Sequence, residues 1–178
     1  MKAAITSLPG VLLLDVDVHA DPRGSVAELY RRERFGIDVE FVQDNVAVSV
    51  RGALRGLHYR ISPQAKLVMV IEGEVYDVAV DVRRGSPTFG QSFGTALSSE
   101  TRRQLYIPAG FAHGYQAVSE RATVLYKLTA PFDPADDRVV RWDDPALAIA
   151  WPLDEPIVSE RDRTAPLLAD AELPVYTP

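Results

Sequence analysis

The chain contains no cysteine and only three histidines, and it has no apolar run long enough to cross a bilayer. Without cysteine there is no disulfide and no thiolate nucleophile, which fits a cytoplasmic address. His19, His58 and His113 lie far apart in sequence. The close histidine pair of a strand-borne metal site is therefore missing, and no metal is expected. Basic residues are in deficit: 19 Lys and Arg against 25 Asp and Glu give a net charge of −6. Wrapping nucleic acid requires broad basic surface, so no nucleic-acid partner is expected. A small anion is still within reach, because one or two arginines suffice to hold a diphosphate. There is no glycine-rich phosphate loop and no Gly-x-Ser-x-Gly elbow. Ser7, Pro9 and Gly10 break up any signal-peptide core, and Asp15 and Asp17 follow at once, so no targeting segment or membrane partner is expected.

Short β-branched runs separated by turn residues fill the chain. They are Val11–His19, Phe41–Val50, Leu67–Ile71 ending at the turn Glu72-Gly73-Glu74, Val75–Val82, and then Phe93–Leu97, Arg103–Pro108, Ala112–Val118 and Ala122–Thr129. Many short strands at near-regular spacing predict an all-β sandwich or barrel, not βαβ units. Helical signal is confined to single turns near Arg31–Phe35, Pro145–Ala148 and Ser159–Asp162. The 178 residues suit one domain with a sizeable core. That domain is expected over 1–178, with a body at about 21–152. A loop-rich tail over 153–178 docks on it, anchored by Trp142 and Trp151.

The stretch Arg55-Gly56-Leu57-His58-Tyr59-Arg60, followed by Lys66, carries the chemistry. Taken singly, each residue has a bland reading. A strand histidine is most often structural, and Lys66 either faces solvent or is buried because its charge is used. Tyr126 suits a packed strand aromatic, and Asp162 a surface carboxylate behind a Ser159 cap. Taken together, a base, a cation, a phenol and a carboxylate are what proton abstraction beside a carbonyl requires.

The motifs DPRGSVAE (Asp21–Glu28), FVQDN (Phe41–Asn45), ALRGLHYR (Ala53–Arg60), QAKLV (Gln64–Val68), GEVYDVAVDVRRGSPTFG (Gly73–Gly90), RQLYIPAGFAHGY (Arg103–Tyr115), VLYKLT (Val124–Thr129), RWDDPAL (Arg141–Leu147) and SERD (Ser159–Asp162) occur in this order. Together they resemble the dTDP-4-dehydrorhamnose 3,5-epimerase family of sugar-nucleotide epimerases. The resemblance implies a cupin-type β jelly roll and a homodimer that exchanges strands. It assigns His58 as general base, Asp162 as the carboxylate that orients it, Lys66 as the cation beside the sugar O4, and Tyr126 as the acid on the opposite face. Arg23 and Arg55 resemble a diphosphate clamp. Glu28, Gln43, Asp44 and Asn45 resemble nucleotide and sugar contacts. His113, Asp137 and Arg161 resemble further substrate contacts, and Asp77 a partner for Lys66.

The implied reaction inverts C3 and C5 of dTDP-4-dehydro-6-deoxy-D-glucose, giving dTDP-4-dehydro-L-rhamnose. A C4 ketone acidifies both protons, and a Lys66 ammonium beside the enolate oxygen is worth about 3–4 kcal/mol. No cofactor is required. The chain departs from the family pattern at Phe132, where a second tyrosine is usual, at Arg60, where glutamine is usual, at Ser25 and Val26, which replace a more aromatic pair, and in a segment between His58 and Lys66 two residues shorter than usual. Phe132 and the short segment motivate an alternative, a single-centre epimerase of a dTDP-4-keto-deoxysugar in a secondary-metabolite pathway. A 3,4-ketoisomerase is disfavoured by Tyr126, a non-enzymatic binding jelly roll by the coincidence of His58, Lys66 and Tyr126, and a metal-dependent cupin oxygenase by the histidine count.

Overall fold

A computed structural model describes residues 2–177, so the ends of the expected domain, Met1 and Pro178, lie outside it. The strands are β1 (Lys2–Ile5), β2 (Leu12–Asp15), β3 (Val18–Asp21), β4 (Gly24–Ala27), β5 (Gln43–Val50), β6 (Leu54–Arg60), β7 (Lys66–Glu72), β8 (Glu74–Asp81), β9 (Ser92–Ser98), β10 (Gln104–Ile107), β11 (Phe111–Ala117), β12 (Arg121–Leu128) and β13 (Asp137–Val139). The helices are single turns, α1 (Arg32–Phe35) and α2 (Glu160–Arg163). Two antiparallel sheets form the jelly roll, one ordered β1-β2-β10-β7-β12-β5 and the other β13-β6-β11-β8-β9. The hairpin β3–β4 stands as a separate two-stranded sheet.

The long runs sort by how many faces they bury. β5 alternates half-buried and exposed positions, whereas β11 is buried throughout. Between the sheets lie Val68, Val70, Val75, Ala79, Leu105, Ile107, Phe111, Tyr115 and Val124. Full burial of such side chains stabilises by about 1.5–3 kcal/mol each. Part of each outer face is also covered. Leu57, Tyr59, Val78 and Val80 meet Leu147 and, from the tail, Leu168 and Leu173. Leu67, Met69 and Tyr106 meet Phe35 and the segment around it, where Tyr30, Phe35 and Phe41 pack edge to face.

The tail docks through polar contacts as well. Gln116, fully buried, donates from Nε2 to the Leu153 carbonyl (2.9 Å) and accepts the Leu153 amide at Oε1 (3.0 Å). Trp151 donates from its indole to the Trp142 carbonyl and stands edge-on to Tyr76. Asp81 anchors the turn after β8: it accepts from Arg83, Ser86 and Thr88. Although burial alone would raise its carboxyl, these bonds hold it down at about 2.

Two expectations need correction. The run Val11–His19 is not one strand. It splits into β2, in the six-stranded sheet, and β3, in the separate hairpin. An apolar run rich in valine and leucine reports extended backbone but not which partner it pairs with. The region Pro145–Ala148 forms turns instead of a helix.

Gly56 and Gly114 set the closest approach of β6 and β11. Gly56 has φ +130°, and a Cβ there would meet Gly114 Cα at 2.6 Å and the His113 carbonyl at 2.8 Å. Both obstacles are backbone and cannot yield. Gly56→Ala is expected to destabilise the protein by about 3 kcal/mol or more, read from the midpoint of urea unfolding.

Candidate active site

β6 carries His58 and Arg60 on its inner face, because Leu57 and Tyr59 point outward into the tail-covered cluster. Across the sheet His58 pairs with His113 of β11 on one side and with Val139 of β13 on the other. The Asp162 carboxylate arrives from α2. Ser159 caps that turn by accepting the Asp162 amide, and the parallel bridge Ala53–Ile157 fixes the approach of the chain. Asp162 is 3% exposed and places Oδ1 2.8 Å from His58 Nε2. Burial alone would raise this carboxyl, but the bond and charge of His58 and the Gly56 amide outweigh it and hold the carboxyl below the usual range. An ionised Asp162 accepts only, so His58 Nε2 carries the proton and Nδ1 is left as a bare acceptor.

Lys66, at the start of β7, donates from Nζ to the His58 carbonyl at 3.1 Å. Enclosure lowers its ammonium to about 8, and the negative charges of Asp137 and Asp77 offset only part of that shift. A base and a cation of readily changed charge thus meet at one residue.

Behind them lies a second buried pair. His113 Nε2 is 3.0 Å from both Asp77 oxygens, and Asp77 is fully buried. Burial pushes His113 down, Asp77 acts against that, and Lys66 and His58 add to it. Asp77 is therefore bonded to His113, while Lys66 takes the His58 carbonyl. Tyr115 shares the inner face of β11 with His113. Its hydroxyl is 3.1 Å from Ser49 Oγ, and burial raises its pKa.

A cavity of about 480 Å³ opens in front of His58. That volume suits a small ligand. Val48, Val50 and Ile157 form an apolar rim, while Ser49, Arg55, Arg161 and Asp162 line the polar part. Arg55 bonds Ser49 Oγ through Nε and the Val48 carbonyl through Nη2, which turns its cation along the cavity. Arg161 donates to Asp137 Oδ2 at 2.6 Å.

The structure thus groups His58, Asp162, Lys66, Arg55, His113, Asp137 and Arg161. Tyr126 lies on the inner face of β12, opposite Asn45, and packs against the cluster that holds Tyr115. Gln43 and Asn45 share the inner face of β5 and bond each other at 2.8 Å. Asp44, between them, faces outward and is held by Lys127 at 2.7 Å. Arg23 and Glu28 are not brought to His58. Arg23 is 89% exposed and pairs with Asp21 on the β3–β4 hairpin, and Glu28 pairs with Arg31 and Arg34. Sequence reasoning missed Ser49 and Tyr115. Period two from Gln43 and Asn45 reaches Ser49, and period two from His113 reaches Tyr115. Among the described residues no group of three or more His, Asp or Glu is arranged to hold a metal.

One prediction tests the tautomer. In Asp162→Asn the amide can donate to Nε2, which moves the ring proton to Nδ1. The ¹⁵N shifts of His58 should exchange their protonated and bare signatures between wild type and variant; unchanged shifts would refute the assignment.

The family model described as dTDP-4-dehydrorhamnose 3,5-epimerase matches residues 5–170. A dTDP-4-dehydrorhamnose 3,5-epimerase of Pseudomonas aeruginosa is 51% identical, covering 97% of this chain and 98% of that protein. The crystal structure of a dTDP-6-deoxy-D-glucose-3,5-epimerase from Legionella pneumophila, in complex with dTDP-4-keto-L-rhamnose, superposes with a TM-score of 0.95 at 42% identity, over 99% of each chain. A 3'-monoepimerase from Streptomyces bikiniensis, in complex with dTDP-quinovose, superposes with a TM-score of 0.90 at 41% identity, over 96% of this chain and 92% of that one. The chain belongs to the dTDP-4-dehydrorhamnose 3,5-epimerase family.

Proposed function

We propose that this protein is an isomerase that inverts C3 and C5 of dTDP-4-dehydro-6-deoxy-D-glucose, giving dTDP-4-dehydro-L-rhamnose. The observation that carries the proposal is the meeting of base and cation at one residue: His58 is bonded to the Asp162 carboxylate, and its carbonyl holds Lys66. The bare Nδ1 of His58 takes the proton from the carbon beside the C4 ketone. Asp162 stabilises the imidazolium that results. The enolate charge falls on O4, where Lys66 meets it. Tyr126 returns a proton from the opposite face; solvent water then takes the proton from His58 and resupplies Tyr126, and the same cycle at the other carbon completes the double inversion. Arg55 takes the diphosphate, with the apolar rim of Val48, Val50 and Ile157 beside it. Gln43, Asn45, His113, Asp137 and Arg161 contact sugar or nucleotide. No cofactor takes part in these steps.

We further propose a single cytoplasmic domain whose tail supplies Asp162, acting as a homodimer. β5 is an edge strand, and Val46, Val48 and Val50 are exposed along it. An unpaired apolar edge favours another chain's strand. The β3–β4 hairpin carries Arg23 and Glu28 away from their own cavity, so a second copy can bring them to it. A single-centre inversion is the second reading. Its support is Phe132, which is 54% exposed and has no hydroxyl to donate.

Incubation of the substrate with the protein in heavy water should erase the C3 and C5 proton signals. Loss at one carbon alone would establish the second reading, and loss at neither would overturn both. His58→Ala should abolish exchange yet bind dTDP within about two-fold of wild type. Mixing His58→Ala with Arg23→Ala subunits should restore part of the activity if Arg23 acts across the dimer; no recovery would sink that arrangement.

Lys66 works only as an ammonium, and its pKa is depressed. On the alkaline side turnover should therefore fall as pH rises through about 8. Lys66→Arg keeps its charge in that range and should abolish the alkaline limb, whatever its absolute rate.

A further inference from the structure

Arg60 lies two positions beyond His58 on the same inner face of β6, yet its guanidinium points away from the cavity. Nε donates to Asp136 Oδ2 at 3.0 Å and Nη1 to the Pro131 carbonyl at 2.7 Å. The side chains are 10% and 19% exposed, so this is a sheltered bridge and not a surface pair. Asp136 binds the other side of the joint: it accepts the amides of Ile61 and Ser62 (3.2 and 3.1 Å) and the Ser62 hydroxyl. Its carboxyl is held at about 2, chiefly by Ser62, with Arg60 and the two amides adding to that. One arginine and one aspartate thus fasten the turn that leads from His58 to Lys66 onto the loop 130–136.

Both flanks of that loop lead into the site. Pro131 precedes Phe132, whose amide donates to Gln43 Oε1 at 2.8 Å, and Gln43 in turn donates to Asn45, the cross-strand neighbour of Tyr126. Asp136 precedes Asp137, which pairs directly with Arg60 in the β13–β6 ladder, holds Arg161 and bears on the charge of Lys66. Arg60, Phe132 and the segment that follows His58 are thus joined by these bonds.

We propose that Arg60 is a positioning residue: with Asp136 it fixes Phe132 and Asp137 relative to His58, Lys66 and Tyr126, and so sets the balance between reaction at C3 and at C5. The inference rests on the epimerase reading. A fork-shaped guanidinium spans Asp136 and Pro131 together; an ammonium or an amide reaches one of them. Misplacement of reacting groups by fractions of an ångström is felt in turnover far more than in binding.

The test compares wild type, Arg60→Gln, Arg60→Lys and Asp136→Asn. Hydrogen–deuterium exchange at C3 and C5 is followed separately by NMR, dTDP affinity by calorimetry, and folding by thermal melting. Arg60→Gln should bind dTDP within about two-fold of wild type, lose about ten-fold in turnover, and change the C5-to-C3 exchange ratio by several-fold. Arg60→Lys should fall between the two, and Asp136→Asn should shift the ratio in the same direction as Arg60→Gln. A folded Arg60→Gln with wild-type turnover and an unchanged ratio would overturn the proposal, as would a loss confined to melting temperature. Should Arg60→Gln fail to fold, the ratio in Arg60→Lys decides the matter by the same criterion. Wild type that exchanges neither proton would overturn the epimerase reading itself and this inference with it; wild-type exchange with an indifferent Arg60→Gln would overturn this inference alone.

Discussion

A carboxylate buried at the inner end of the cavity has to be bonded on every side, and the arrangement of this protein follows from that requirement. Asp162 lies 104 residues from His58 in the chain. An unpaired charge in so sheltered a place would cost several kcal/mol. The Gly56 amide, the His58 ring and the Ser159 cap therefore stand where they do, and the route of the tail is fixed by Gln116 and the Ile157 bridge. The tail is a structural part of the base and not an appendage to a finished sandwich.

The same rule orders the rest of the interior. Asp77 and Asp81 are both fully buried, and each meets a different answer: Asp77 a neutral histidine, Asp81 an arginine and two hydroxyls. Asp81 stabilises a turn. Asp77 sits where its charge reaches both Lys66 and His113. Of these two acids, one locks the backbone and the other sets the field around the reacting groups.

Periodicity made most of the strands legible. Val75–Val82 and Ala122–Thr129 lie within a residue or two of β8 and β12, since alternation reports a face directly. It could not say that Glu72-Gly73-Glu74 carries the chain from one sheet to the other, because a turn's sequence does not record which strands will pair. His58, Lys66 and Asp162 could be read as a group because each block of motif around them is distinctive; their mutual distances could not. Asp44 shows the complementary failure. Its two neighbours face inward, and strict alternation places it on the outer face with Lys127, a consequence visible from sequence once the strand is accepted. Which cavity the hairpin bearing Arg23 serves was not legible, because the residues around it do not record which body the hairpin packs against.

The contact of Gly56 with Gly114 has one more consequence. Where two backbones touch there is no room for a side chain, so the backbone next to His58 and His113 has a fixed course. A change of side chain that reshapes the cavity is open instead at its rim, formed by Val48, Val50 and Ile157. The backbone that carries the base is thus held apart from the side chains that bound the cavity, and the rim can be altered without moving His58.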